Sequence, residues 1–116
     1  MASTYLRGVA GEDRAVQKLE GLGWQILARR FRSAGGEVDI IAMEADTIVF
    51  VEVKAWDVYG PEDLERSVGH AKRARLRRCA AAYLKSHPEY GDCRVRFDLM
   101  FLSWRMGRWD HWKDAF

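Results

Sequence analysis

A short stretch of the chain places charged residues where apolar ones dominate. Asp39 is followed, after twelve intervening residues, by Glu52-Val53-Lys54, and Glu37 stands two positions before Asp39. Their neighbours Val38, Ile40, Ile41, Phe50, Val51 and Val53 are β-branched or aromatic, a composition that predicts burial on both faces. Three carboxylates and one ammonium carry a local charge of −2. Carboxylates desolvated together repel, and a buried unpaired charge costs several kcal/mol. A divalent cation removes that cost. Magnesium takes oxygen ligands and only one or two protein carboxylates, with water and substrate phosphate filling the other positions. Asp39 and Glu52 suit it as ligands, with the backbone carbonyl of Val53 as a third, and Mn²⁺ is the natural substitute. Lys54, beside the metal, would position or deprotonate an attacking water and stabilise charge in the transition state of phosphoryl transfer. The competing reading is a salt-bridged patch, Glu37 with Lys54, at a solvent-exposed hairpin end. The excess of acid over base, which pairing alone cannot settle, weighs against it.

These groups are positioned by a hairpin. Val38 to Met43 and Thr47 to Val53 read as strands, and the polar break Glu44-Ala45-Asp46 joins them. With Ala45 and Asp46 as the two loop residues, facing positions sum to 91 in residue number. Asp39 is then expected directly opposite Glu52, and Glu37 opposite Lys54. Glu52 and Lys54 share a face in any register, because they are two apart.

Around the hairpin, residues about 8 to 22 read as a helix, with Val16, Leu19 and Leu22 at three-residue steps and Gly21 and Gly23 as its stop. Trp24 to Phe31 reads as a strand. A loop from Asp57 to Pro61 leads to a long basic helix, about Glu62 to Ser86, closed by His87-Pro88. Its apolar stripe is Leu64, Val68, Ala71, Leu76, Cys79, Ala80 and Tyr83. Val95 to Trp104 is a further strand, and Arg108 to Trp112 a short last one. The order α-β-β-β-α-β, with that extra strand, predicts an α/β sandwich whose mixed sheet is flanked by helices.

The chain of 116 residues, 48% hydrophobic and 31% charged, reads as one continuous domain spanning 1–116. No apolar run approaches the about 20 residues of a membrane span, and no signal-like segment opens the sequence. Cys79 and Cys93 are too few for a disulfide framework or a zinc site, and a cytoplasmic protein with two reduced thiols is expected.

Charge is unevenly spread. From Arg66 to Pro88 there are seven cations and no acid, while the remainder carries 12 cations against 17 acids. A local positive field on an acidic body points to a polyanionic partner. Arg66, Arg73 and Arg77 fall on the polar side of the basic helix and would contact phosphates; a merely solvated helix face is the bland alternative. Arg29, Arg30 and Arg32 form a second small cluster beside the hairpin. Trp104, Trp109, Trp112 and Phe116 make an aromatic tail, expected to pack on the sheet or in a dimer contact rather than to stack on bases. His70, His87 and His111 have no ligand spacing and are read as non-catalytic.

The spacing Asp39…Glu52-Val53-Lys54 has the D…ExK form of the PD-(D/E)XK nucleases. More closely, the chain resembles the YraN family of small bacterial proteins, which look like Holliday-junction-resolvase-type nucleases. The match runs nearly end to end: Gly8, Gly11-Glu12 with Ala15; Gly36-Glu37-Val38-Asp39; Val49-Phe50-Val51-Glu52-Val53-Lys54; Gly60; Lys72; Ala80; Tyr83-Leu84; Phe97-Asp98; and Ala115-Phe116. The resemblance implies a restriction-endonuclease-like α-β-β-β-α-β core and a metal-dependent phosphodiesterase site of Glu12, Asp39, Glu52 and Lys54. It adds Lys72 as a phosphate contact, so that Arg29, Arg30, Lys72, Arg73 and Arg77 become the expected nucleic-acid-binding set and Glu37 a supporting acid. Glu12 also lies on the buried stripe of the first helix, where a lone carboxylate is costly; a first-turn glutamate favoured by the helix dipole is the alternative. The implied activity is hydrolysis of DNA, branched or otherwise structured. By analogy with resolvase-like enzymes, two subunits would pair to cut two strands. A non-catalytic nucleic-acid-binding module on the same fold is the second reading, and an interaction domain using the tryptophan-rich tail the third. Two positions depart from the family pattern: Trp56 stands where a basic residue is usual, and Arg30 where asparagine is common.

Overall fold

The computed structural model describes residues 4–33, 35–56, 61–62, 69–103, 105 and 107–116, with residues 4–9 and 70 described through their backbone. Helix α1 spans Thr4–Gly21, followed by strands β1 (Gln25–Ser33), β2 (Gly36–Glu44) and β3 (Thr47–Trp56). Helix α2 (His70–Ser86), a 3₁₀ turn (Pro88–Tyr90), β4 (Arg94–Ser103) and β5 (Arg108–Trp112) complete the described elements. The strands form one sheet in the order β1-β2-β3-β4-β5. Only β3 and β4 pair in parallel, and parallel neighbours need a crossover connection, in which α2 lies. The fold is therefore the α/β arrangement expected, a mixed sheet with a helix on each face, consistent with a restriction-endonuclease-like core.

Each face of the sheet has its own apolar layer. Ala15 and Leu19 of α1, four residues apart, are buried against Ile40, Val49, Val51 and Met100. Leu76, Cys79, Ala80 and Tyr83 of α2 are buried against Ile41, Phe50, Leu99 and Phe101. Central strands covered on both sides explain why β2 and β3 read as apolar at nearly every position. The end of α1 is set by Gly23, whose φ of +88° suits glycine. The N–H of Trp24 donates to the Leu19 carbonyl at 3.0 Å and that of Gly23 to the Glu20 carbonyl at 3.0 Å, the double bond of a Schellman cap.

Strand boundaries follow the sequence pattern closely, but the basic helix does not. A single helix from Glu62 is expected; instead Gly69 takes an extended conformation (φ −118°, ψ 163°) as the N-cap of a helix that begins at His70. Pro61 and Glu62 are helical, and the extended glycine, a residue weak in a helix interior, sets the start of α2. Arg66, Leu64 and Val68 lie outside the described residues, as do Trp104 and residues 57–60. Ala71, assigned to the apolar stripe, is exposed. In the tail, Phe116 is buried and Trp112 packs on the same layer as α2, so these two aromatics join the core. Among the described residues, no helix is long and apolar enough to cross a membrane.

Candidate functional site

The hairpin register is the one anticipated, from Glu44 opposite Thr47 to Ile40 opposite Val51. There the ladder stops. Asp39 and Glu52 do not form the next backbone pair, nor Glu37 and Lys54 the pair two steps further on. The physical reason is a side chain: Oδ2 of Asp39 accepts the N–H of Val53 at 2.7 Å, taking a donor from the strand edge that faces β2. Beyond this point β2 remains paired only with β1, as Phe31 with Val38 and Arg32 with Glu37. Strand β3 continues beside β4 as far as Trp56 with Ser103. A cavity of about 350 Å³ opens where the two strands part company, lined among others by Glu37, Asp39, Glu52, Lys54, Lys72 and Arg75.

Asp39 is also where β2 changes face. Val38 is buried on the α2 side and Ile40 on the α1 side, although residues two apart share a face in a regular strand. On β1, between the paired residues Arg29 and Phe31, Arg30 has φ 52°. This left-handed conformation is tolerated best by asparagine among non-glycine residues. The arginine is held there by Glu12, whose Oε1 accepts its Nε–H at 3.1 Å. Arg30, where the resemblance leads one to expect asparagine, thus falls on a strained backbone position.

Charge in the cavity is arranged around Glu52. The Nζ atoms of Lys54 and of Lys72 lie 3.5 and 3.4 Å from the same Oε1. Burial disfavours the charge of Lys54, but hydrogen bonding with Lys72 and the charges of Glu52 and Asp39 outweigh it and hold its pKa above the ordinary value. Lys72 is shifted down, by burial and then by its bond with and repulsion from Lys54, against the attraction of Glu52. Asp39 has fewer compensations. Burial, then the charge of Glu52, push its carboxyl up to about 7; the Val53 N–H and Lys54 oppose the shift and Glu12 adds to it.

Only part of the anticipated set is brought together. Asp39, Glu52, Lys54 and Lys72 meet at the cavity. Glu37 borders it but also accepts Nε–H of Arg32 at 3.1 Å, and Glu12 is engaged with Arg30. Arg29 is likewise paired, its Nη2 2.6 Å from Oδ1 of Asp13 on α1. Arg73 is exposed on α2, and Arg77 lies over the ring of Phe97 at 5.3 Å. Neither lines the cavity. Arg75 does, and sequence reasoning missed it among seven cations. The signal was its place three residues after Lys72, at one edge of the stripe Leu76, Cys79 and Tyr83. Trp56, two positions past Lys54, packs edge-on against Phe101 at 5.3 Å.

Among the described residues, no three acidic, imidazole or thiol groups close around one point. The cavity instead offers the carboxylates of Asp39 and Glu52, with that of Glu37, bonded to Arg32, at its border, and Val53 carries a carbonyl on the strand edge from which its N–H reaches Asp39. That donor set is sparse in protein ligands and all oxygen, which fits magnesium.

A second buried acid was also missed. Asp98 of β4 is fully buried and accepts from Arg96 Nε at 2.8 Å, Arg96 Nη2 at 3.0 Å and the Asp114 N–H at 3.0 Å. Nε2 of His111 lies 2.8 Å from its Oδ2. Glu44 joins through Arg96 and Lys113.

The model of the uncharacterised protein family UPF0102 matches residues 11–102. A UPF0102 protein of Synechococcus sp. (strain JA-3-3Ab) is 41% identical over 106 residues, covering 87% of this chain and 78% of that protein. A UPF0102 protein of Pseudomonas putida (strain GB-1) is 39% identical over 118 residues, covering 99% of this chain and 96% of its own.

Proposed function

The chain belongs to the UPF0102 (YraN) family, and from that premise and the geometry of the cavity we propose that it is a metal-dependent endonuclease hydrolysing phosphodiester bonds of branched or otherwise structured DNA. One observation carries this reading. The backbone ladder between β2 and β3 gives way to a cavity in which Asp39 and Glu52 face the same space, with the Asp39 carboxyl pushed up to about 7. A purely structural patch would be expected to neutralise its acids; here one carboxylate is left poorly compensated inside a cavity.

Asp39 and Glu52 would hold Mg²⁺ or Mn²⁺, with the Val53 carbonyl as a further ligand. When bound, the ion supplies Lewis-acid polarisation of the phosphoryl oxygen and a water of lowered pKa. The protein's own part begins with the Val53 N–H, which fixes the Asp39 carboxylate through Oδ2. Glu52 orients both lysines through one oxygen. Lys54, held charged, places a positive group where negative charge grows on the phosphoryl oxygens during in-line attack of water. Lys72, on the opposite wall, offers a contact for the phosphate. Glu12 would act on the site through its charge on Asp39 and through Arg30.

The test is incubation of the pure protein with synthetic forked, four-way and linear DNA and Mg²⁺ or Mn²⁺. Cleavage products are expected with the wild type, and Asp39→Ala or Lys54→Ala should reduce their rate by at least about 100-fold, the scale on which an electrostatic catalytic group acts. Binding without cleavage, unaffected by either substitution, would instead identify a non-catalytic nucleic-acid-binding module.

A further inference from the structure

The turn into β2 contains two glycines on which α2 rests two arginine stems. A Cβ on Gly35 would meet Arg78 at 3.0 Å (Nε) and 3.1 Å (Cβ). A Cβ on Gly36 would meet Arg75 at 3.2 Å (Cδ), and the φ of +141° there independently favours glycine. Both stems are therefore laid against bare backbone, which limits the freedom of their guanidinium groups. Such pre-placement lowers the entropic cost of any contact the groups make.

Neither group is committed to an acid among the described residues. Arg29, Arg30, Arg32, Arg96 and Arg108 each have a carboxylate partner. Arg75 and Arg78 have none among the described residues, and both are exposed. Arg75 also lines the cavity that holds Asp39 and Glu52. On a helix, positions three apart are neighbours, with Cβ atoms about 5–6 Å from each other, so the Arg78 stem lies next to that of Arg75, the one of the two that lines the cavity. Guanidinium groups recognise phosphate in a bidentate manner.

We propose that Arg75 and Arg78, seated on Gly35 and Gly36, form a phosphate clamp that holds the DNA strand flanking the reacting phosphodiester. The proposal rests on the nuclease reading for the identity of the strand. It assigns the main backbone contact of α2 to the flank over the glycine turn, and not to Arg73 and Arg77 on the flank over Phe97.

The experiment measures binding of a fluorescent four-way DNA junction, without metal, to the full chain carrying Asp39→Asn, across a salt series. Adding Arg75→Ala with Arg78→Ala should weaken binding about tenfold near 0.1 M salt and lower the log–log salt slope by about two. Arg73→Ala with Arg77→Ala should cost less on both measures. Gly35→Ala displaces the Arg78 stem with every charge retained and should weaken binding about twofold to fivefold. Thermal melting establishes that each variant is folded. Affinity and slope unchanged in the Arg75/Arg78 variant would overturn the clamp, as would a larger loss from Arg73 and Arg77. Cleavage is scored separately in the wild type. A chain that cuts DNA but is indifferent to Arg75 and Arg78 loses the clamp and keeps the nuclease; one that binds through them and never cuts keeps the clamp and loses the nuclease.

Discussion

Asp39 and Asp98 lie on opposite faces of one sheet. Asp98 pairs in register with Val51, whose side chain belongs to the α1 layer, whereas Asp39 borders a cavity walled by Lys72 and Arg75 of α2. Burial raises the pKa of both. For Asp98, the hydrogen bonds of His111 and Arg96 and the Asp114 N–H more than reverse that effect and hold its carboxyl below the ordinary range. Asp39 has one backbone donor and a second carboxylate close by, and ends at about 7. Two similar acids in one sheet thus reach opposite states because one is enclosed by donors and the other is not. Asp98 ties the C-terminal segment to β4, aided by the Ala115 N–H donating to the Phe97 carbonyl at 2.8 Å. Asp39 retains an unmet demand for positive charge, which a ligand can meet.

The contrast predicts substitutions of opposite sign. The largest effect belongs to Asp98→Ala, which takes from the half-buried Arg96 one of its two carboxylates, leaving Glu44, and removes the acceptor of the Asp114 N–H; it should cost about 3–4 kcal/mol in urea unfolding at pH 7. Because the folded pKa is lowered, the contribution of Asp98 is present above the unfolded value near 4 and disappears as pH falls through the folded value. An Asp98→Ala protein as stable as wild type at pH 7 would break the comparison.

Asp39→Asn should act in the other direction. The amide keeps an oxygen to accept the Val53 N–H but carries no charge, so at pH 8 the variant should be more stable by about 1–3 kcal/mol. With a raised folded pKa, the wild type is fully stable below the unfolded value and loses stability as pH rises through about 7. The advantage of Asp39→Asn should therefore shrink steadily from pH 8 and vanish near pH 4. An advantage that does not change with pH would rule out Asp39 as its source.

Millimolar Mg²⁺ or Mn²⁺ should raise the wild-type melting temperature at pH 8 by about 2–5 °C through binding to the folded state alone. The rise should be absent in Asp39→Asn and undiminished in a variant of the Asp98 network that still folds, such as Lys113→Ala. A rise of equal size in Asp39→Asn would place the ion elsewhere. The smallest effect is expected for Glu37→Gln, since its partner Arg32 is largely exposed and such pairs contribute about 0–1 kcal/mol. Calorimetric titration of metal into this variant should give nearly the wild-type affinity, and a tenfold loss would make Glu37 a ligand.

Much of the site was legible along the chain because strand alternation is a strict local rule. Glu52 and Lys54, two apart on β3, had to share a face, and the Ala45-Asp46 loop set the hairpin register through Ile40 and Val51. The pattern could not show that the Asp39 side chain would take the Val53 N–H and end the ladder at Ile40 and Val51, before either expected pair of charged residues. Gly69 illustrates the same gap in the helix: a single residue without a side chain stands extended at the start of α2, within a basic run that reads as continuous helix. Asp98 and His111 looked unrelated because twelve residues and a strand reversal lie between them.

The order of the amino acids by itself determined the strand segments, the two apolar layers and the presence of acids and a lysine in the middle of a buried hairpin. These follow from periodicity and side-chain solubility, which act between near neighbours. Tertiary structure decided which acid is satisfied and which is not, where the strands separate, and which arginines of α2 border the opening. Those outcomes depend on groups far apart in the chain competing for the same donor, carboxylate or patch of bare backbone, and that competition begins only when the helices close on the sheet.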